Sequence, residues 1–224
     1  MTHTSEQKLI NIHHYGIDPD NRELYLHSHI MDSEEESGVD YRCAINFEKN
    51  LRYLNLISSD PILVHMHMPG GDWSDCLGIY DAILQSHSPI ACLAYAKAES
   101  ASGIIFQAAD LRILMPNSYV LIHYGSLSLD GEHKAAMSNI KWNEQEANKM
   151  VEIFALKSAE SPMAKEKGWK KSVMKKHIVS QLSNKSDWIL TPEEAVYYGF
   201  ADGILGEAPF QTVDHIKRKL SKLT

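Results

Sequence analysis

A strand that runs into a proline and two glycines, and then at once into an amphipathic helix, constrains this chain more than any other stretch. Residues Pro61 to His67, PILVHMH, are a short apolar run of strand length, and Met68, Pro69, Gly70 and Gly71 follow. Cys76, Ile79, Tyr80 and Ile83 then recur at i, i+3, i+4 and i+7, the spacing of one helix face. Ile90 to Tyr95 is the next strand candidate, so strand, helix and strand succeed one another through connections of a few residues. Alternation of this kind predicts a parallel α/β arrangement with right-handed crossovers. Reactive side chains in such arrangements sit where strands end and helices begin.

The stretch Ala96 to His123 meets that description. Ala91 to Ala96 reads as strand and Gly103 to Ala109 as helix, with Ser100 and Ser102 between them. Pro116 and Asn117 mark a turn, and the apolar run after them ends on His123. Serine is a poor nucleophile until a base takes its proton and donors wait for the oxyanion. Gly70 and Gly71 offer main-chain N–H groups unhindered by a Cβ, and the N–H of Ala101, at a helix amino end, is a second donor. Either serine satisfies these local conditions.

Composition narrows the function classes. A chain of 224 residues buries a substantial core, and nothing in it looks like a linker between two cores, so one domain with an appendage is expected. The net charge of −7 supplies no electrostatic footprint for nucleic acid or an anionic membrane. No apolar run approaches the ~20 residues that span a bilayer, and the amino terminus has neither an export signal nor an amphipathic presequence. Cys43, Cys76 and Cys92 are an odd number without ligand spacing, each in an apolar pattern, which suggests buried reduced thiols and a cytoplasmic location.

The remaining elements follow in order. Residues 1–21 are polar and read as an irregular arm; Glu23 to Ser28 alternates as a strand would, and the acidic run Asp32 to Glu36 reads as a solvated loop. A helix is expected from Tyr41, with Ala44, Ile45, Phe47, Leu51 and Leu54 in helical rhythm. After a loop at 124–131 comes a long helix with Ala136, Met137, Ile140, Ala147, Met150, Val151, Phe154 and Ala155 on one side, longer than a small sheet needs, and therefore an oligomer contact. Lys165 to His177 is dense in lysine and reads as a solvated helical face. Thr191, Pro192, Glu193 and Glu194 form a capping box with proline at the first helical position, closed by Gly199, and Asp187 stands just before it. Residues 211–224 read as a basic tail.

Taken together, five blocks carry a resemblance: MPGG, GIYDAI, AESASGIIFQAAD, PNSYVLIH and DWILTPEEAVYYGFADGIL, in that order across about Glu23 to Leu205. They resemble the proteolytic subunit of the Clp protease, a serine peptidase of the ClpP/crotonase fold. The resemblance implies an α/β spiral of repeated β-α-β units over residues 22–210, with a projecting handle region at about 130–182. It implies Ser100 as nucleophile, His123 as general base and Asp187 as the acid orienting it, with oxyanion donors at the N–H groups of Gly70 and Ala101. Counting back from the QAAD block favours Ser100 over Ser102. It implies a peptide or unfolded protein laid beside Gly70 and Gly71, heptameric rings stacked as a tetradecamer, and no metal or cofactor.

The chain departs from the family pattern in four places. Ala96 replaces a usual glycine, and Glu99 stands beside Ser100 where a small residue is usual. His65 and His67 lead into the glycine turn and share a strand face, which raises the alternative of a metal pair. The amino-terminal segment used to dock on an AAA+ ATPase unfoldase is not recognisable, which argues against that partner; the start ELYLHSHI and the block WILTPEEAVYYGFADGI look instead like the processing proteases of tailed-phage heads. The lysine-rich segment before Asp187 is longer than the family's. Alternatives to a degradative endopeptidase are thus a head maturation protease, a catalytically silent ring subunit supported by Glu99, and a crotonase-type enzyme on acyl-thioesters.

Overall fold

The computed structural model describes residues 4–27, 38–126 and 132–222; the acidic run at 32–36 and residues 127–131 of the loop after His123 lie outside them. Helix α1 (Ser5–Ile10) leads through a π-helical turn at Asn11–Tyr15 into β1 (Ile17–Asp18) and β2 (Glu23–His27). Helix α2 (Tyr41–Ile57), β3 (Ile62–Met68), α3 (Trp73–Leu84), β4 (Ile90–Glu99), α4 (Ala101–Ala108) and β5 (Leu111–Leu114) then alternate as the apolar pattern predicts. Strands β2, β3, β4 and β5 pair in parallel in that order, with β1 antiparallel at one edge and β8 (Gly203–Ile204) beyond β5.

Side-chain alternation sends the strands' residues to two faces. Leu24, Leu26, Val64, Met66, Cys92 and Ala94 pack under the helices in the main core, together with Phe106, Phe154 and Phe200. Leu63, Ala91, Leu93 and Ile113 face the other way and are covered by Phe210, Ile216 and Leu220. Each fully buried aliphatic side chain of this kind contributes about 1.5–3 kcal/mol by leaving water.

Two stretches differ from their expectation. The supposed irregular arm is helical because Thr4 caps α1, accepting from Gln7 N–H, and Asn46 donates to the Tyr15 carbonyl. The basic tail contains α9 (Val213–Leu220), whose Ile216 and Leu220 are fully buried, so apolar spacing outweighs the surrounding lysines. Lys217 of α9 pairs with Glu23 of β2. Burial pushes the Glu23 carboxyl up, but the neighbouring His65 and Lys217 outweigh it and hold the group down at about 2.

Strand β4 is forked. Its first half, Ala91–Ala94, pairs with β5, and its second half, Lys97–Glu99, pairs in parallel with β6 (Tyr119–Ile122). Strand β6 in turn pairs antiparallel with β7 (Trp188–Leu190), so the ends of β4, β6 and β7 converge. Helix α5 (His133–Ser158) buries Met150, Val151, Phe154 and Ala155 near its end, whereas Met137 and Trp142, 43% and 61% exposed, lie on its first half. Helices α6 (Pro162–Lys167) and α7 (Lys171–Asn184) follow, and Lys171 and Lys175 both reach Glu152 of α5. The capping box opens α8 (Pro192–Tyr198) and Gly199 closes it in the left-handed conformation. No described helix is long and apolar enough to cross a membrane.

Candidate active site

The fork in β4 assembles the site. Glu99 is level with Leu121 of β6, so Ser100, one residue past β4, and His123, one past β6, emerge side by side. Ile122 of β6 is level with Trp188 of β7, which brings Asp187 beside His123 from the third strand. His123 Nε2 lies 2.7 Å from Ser100 Oγ, and His123 Nδ1 lies 3.1 Å from Asp187 Oδ1. An ionised carboxylate only accepts, so Nδ1 carries the ring proton and Nε2 is left to accept from the serine hydroxyl.

Ser100 sits between β4 and α4 at φ 55° and ψ −126°, a strained conformation for a residue with a side chain. Its N–H donates to the Leu121 carbonyl at 2.9 Å, which ties the turn to β6. Ala101 is the first residue of α4, where the backbone N–H has no acceptor within the helix. Gly70 stands directly behind this turn at φ 109°, and a Cβ there would lie 2.8 Å from Ser100 Cβ and 2.9 Å from the Glu99 carbonyl oxygen. Gly71 at φ 142° forms a parallel bridge with Val39, whose N–H and carbonyl bond to Gly70 and Asp72. One edge of the glycine turn is therefore occupied by the chain itself.

Ser102, the other candidate, is fully buried and spends its hydroxyl on Met68 and Glu99. Its hydroxyl reaches the carbonyls of Met68 at 2.7 Å and Glu99 at 2.9 Å and accepts from the Glu99 N–H. It fastens β3 to the start of α4. The Glu99 side chain takes a 2.6 Å hydrogen bond from the Tyr119 hydroxyl. A cleft of about 420 Å³ opens over Ser100 and His123, bordered by Gly71, Asp72, Trp73 and, from α5, Asn143 and Glu146; Glu99 does not line it.

The cleft borders contain residues that sequence reasoning missed. Asp72 caps α3, accepting from the N–H groups of Ser74 and Asp75, and so holds the glycine turn against the helix. An aspartate directly after Gly71 was the available signal. Asn143 and Glu146 gave none, because only folding brings α5 over the cleft.

His65 and His67 do share a strand face, level with Tyr25 and His27 of β2. His65 stacks on Tyr25 at 4.8 Å between ring centroids, and its Nδ1 lies 2.9 Å from the Tyr95 hydroxyl. Its Nε2 is 3.2 Å from Glu23. Among the described residues no three His, Cys, Asp or Glu side chains gather as metal ligands. Cys43, Cys76 and Cys92 are free and buried, and burial pushes each thiol up to about 12, which leaves them unreactive at neutral pH.

The family model described as Clp protease matches residues 22–208. The ATP-dependent Clp protease proteolytic subunit 2 of Pseudomonas aeruginosa is 30% identical over 174 residues, covering 75% of this chain and 77% of that protein. The protein of the same description from Mycobacterium tuberculosis H37Rv is 30% identical over 157 residues, covering 68% of this chain and 67% of that one. A solved structure of a ClpP1 mutant from Listeria monocytogenes superposes with a TM-score of 0.65 at 20% identity, over 87% of this chain and 96% of that chain, so the fold is shared.

Proposed function

The chain belongs to the Clp protease family, and we propose that it is a serine-type endopeptidase in which Ser100 is the nucleophile, His123 the general base and Asp187 the residue that orients it. The observation that carries the reading is the unbroken line of contacts from Ser100 Oγ through the imidazole to the Asp187 carboxylate, with Ser100 and His123 bordering a cleft. As Oγ attacks a peptide carbonyl, His123 Nε2 takes its proton, and the same proton passes to the leaving amine when the C–N bond breaks. Water then attacks the acyl-serine with the same base, releasing the acid and restoring Ser100. The N–H groups of Gly70 and Ala101 receive the oxyanion in both steps, and the absence of a Cβ at Gly70 lets its backbone approach. Asp187 keeps the proton on Nδ1 and stabilises the imidazolium.

A substrate strand would lie along the edge of Gly71 that Val39 leaves open. The exposed apolar side chains on the first half of α5, Met137 and Trp142, support burial against other subunits, which fits heptameric rings stacked as a tetradecamer. The names of the relatives describe ATP-dependent proteases; an ATPase partner for this chain is a further proposal, to be tested separately from the chemistry.

Labelling with a fluorophosphonate probe, read by intact mass and peptide mapping, tests the reading. One adduct at Ser100, absent in Ser100→Ala, is expected. A folded protein that forms no adduct would overturn the endopeptidase reading in favour of a catalytically silent subunit.

A further inference from the structure

Asp187 is an unusual place to anchor a relay. Its side chain is 55% exposed, and among the described residues its carboxylate has one polar partner, His123. Its position must therefore come from the backbone that carries it, and β7 is only three residues long, Trp188–Leu190. The residue next to Asp187, Trp188, is 3% exposed and supplies the anchor. Its ring meets Tyr198 of α8 at 5.0 Å and Phe200 at 5.7 Å, both edge to face. The third ring against it is His177 of α7, at 6.2 Å and 81°.

His177 joins that cluster to the lysine-rich segment. It stacks on Tyr198 at 5.8 Å and 12° and tilts over Trp169, between α6 and α7, at 5.3 Å. Its helix is fixed independently of the site, because Met174, Ile178 and Leu182 are buried. The Nε2 of His177 is buried with no hydrogen-bond partner among the described residues, a polar atom whose desolvation nothing offsets. A ring that serves packing alone would be better as phenylalanine.

We propose that the α6–α7 segment is a positioning device for Asp187, acting through His177 on Trp188, so that the state of the His177 ring sets how firmly the carboxylate is held against His123. The proposal rests on the reading of Asp187 as the orienting acid. His177 is a positioning residue and touches no reacting atom. The neutral imidazole is the form that fits among Trp169, Trp188 and Tyr198. The charged groups facing it are Lys167 of α6 and Lys185 after α7, and no described carboxylate pairs with it; Glu194 of α8 acts on Tyr198, and Glu152 of α5 is taken by Lys171 and Lys175. Burial, and then the two lysines, push the His177 pKa below its ordinary 6.5. The unfolded chain thus binds the proton first as pH falls through 6.5, and the stability of this segment declines from there downward. Protonation places a charge in the ring cluster and loosens the hold on Trp188.

The test is a nitrogen-15 histidine NMR titration of the full chain, with peptide hydrolysis measured beside it, for the wild type, His177→Ala and His177→Phe. A carboxylate held at His123 keeps the ring proton on Nδ1, whereas a released imidazole shifts it towards Nε2. The wild type and His177→Phe are expected to show the Nδ1–H tautomer at neutral pH, and His177→Ala a shift towards Nε2–H with a fall in kcat of about tenfold at unchanged KM. As pH falls below 6.5 kcat should decline more steeply in the wild type than in His177→Phe, because only the wild type can place a charge in the ring cluster. Superimposable kcat–pH profiles in the wild type and His177→Phe, or an Nε2–H tautomer in the wild type, would overturn the proposal even if His177→Ala fails to fold. An Nδ1–H tautomer that depends on His177 in a protein that hydrolyses no peptide would sink the endopeptidase reading and leave this one standing.

Discussion

The two halves of the site are held by different means. The proposed nucleophile half, Gly70, Ser100 and Ala101, hangs on β3 and β4, strands of seven and ten residues, and is locked by backbone contacts with no room for a side chain at Gly70. The proposed relay half, His123 and Asp187, hangs on strands of four and three residues, with side chains 28% and 55% exposed. Steric exclusion fixes the first half, and ring packing behind Trp188 fixes the second. A change in the first half should therefore act as an on–off switch, and a change behind the second should act by degree.

The largest contrast is between the two serines. Ser100→Ala should lower kcat by a factor on the order of 10⁶ while leaving the fold intact. Ser102→Ala removes a hydroxyl that joins Met68 to Glu99, so it should cost about 1–3 kcal/mol in a denaturant melt and leave most of the activity. The reverse pattern of rates would show that the buried serine reacts, and the comparison would collapse. Asp187→Asn comes next: a drop in kcat of about 10³–10⁴ with KM unchanged is expected, because the amide can donate to Nδ1 and favour the wrong tautomer. Retention of more than a tenth of the wild-type kcat would mean that the exposed carboxylate is dispensable.

The first half was also the more legible from sequence. The glycine turn and the helix carrying Cys76 to Ile83 depend on residues near one another in the chain, and each formed where local spacing placed it. The nomination of Ser100, His123 and Asp187 needed five blocks read together, since no single spacing distinguishes Ser100 from Ser102. Strand β4 runs on to Glu99, past the expected end at Tyr95 or Ala96, because β6 returns to pair with Lys97–Glu99. Ser100 follows that pairing at a positive φ, and neither feature follows from the small residues of the stretch itself. The helical spacing of Val213, Ile216 and Leu220 lay in plain view inside the supposed tail, masked by the charges around it. His177 against Trp188 was not legible at all, because ring packing between α7 and β7 exists only once the segment folds back.

Gly70→Ala sharpens the on–off side of the comparison without touching the triad. The new methyl would meet Ser100 Cβ at 2.8 Å and the Glu99 carbonyl at 2.9 Å, and φ of 109° is strained for alanine in any case. The turn must shift, and with it the N–H groups proposed to receive the oxyanion, so kcat should fall by about 10²–10³. Reaction of Ser100 with a fluorophosphonate should slow in parallel. A full rate of labelling in a stable Gly70→Ala protein would show that the backbone N–H at this position contributes nothing.

Glu99 is where the smallest effect is expected, although it stands directly beside Ser100. A carboxylate adjacent to a forming oxyanion is repulsive when both are buried together. Here the side chain takes the Tyr119 hydroxyl at 2.6 Å and stays out of the cleft over Ser100. Glu99→Gln keeps an acceptor for Tyr119 and removes the charge, so kcat should change by less than about twofold, the residual Coulomb term being screened by solvent. Tyr119→Phe frees the carboxylate from that hydroxyl, and it should lower kcat more than Glu99→Gln does. A rise of tenfold or more in Glu99→Gln would mean that the charge reaches the oxyanion after all, and that a suppressed subunit, not an active endopeptidase, is the better description of the wild-type chain.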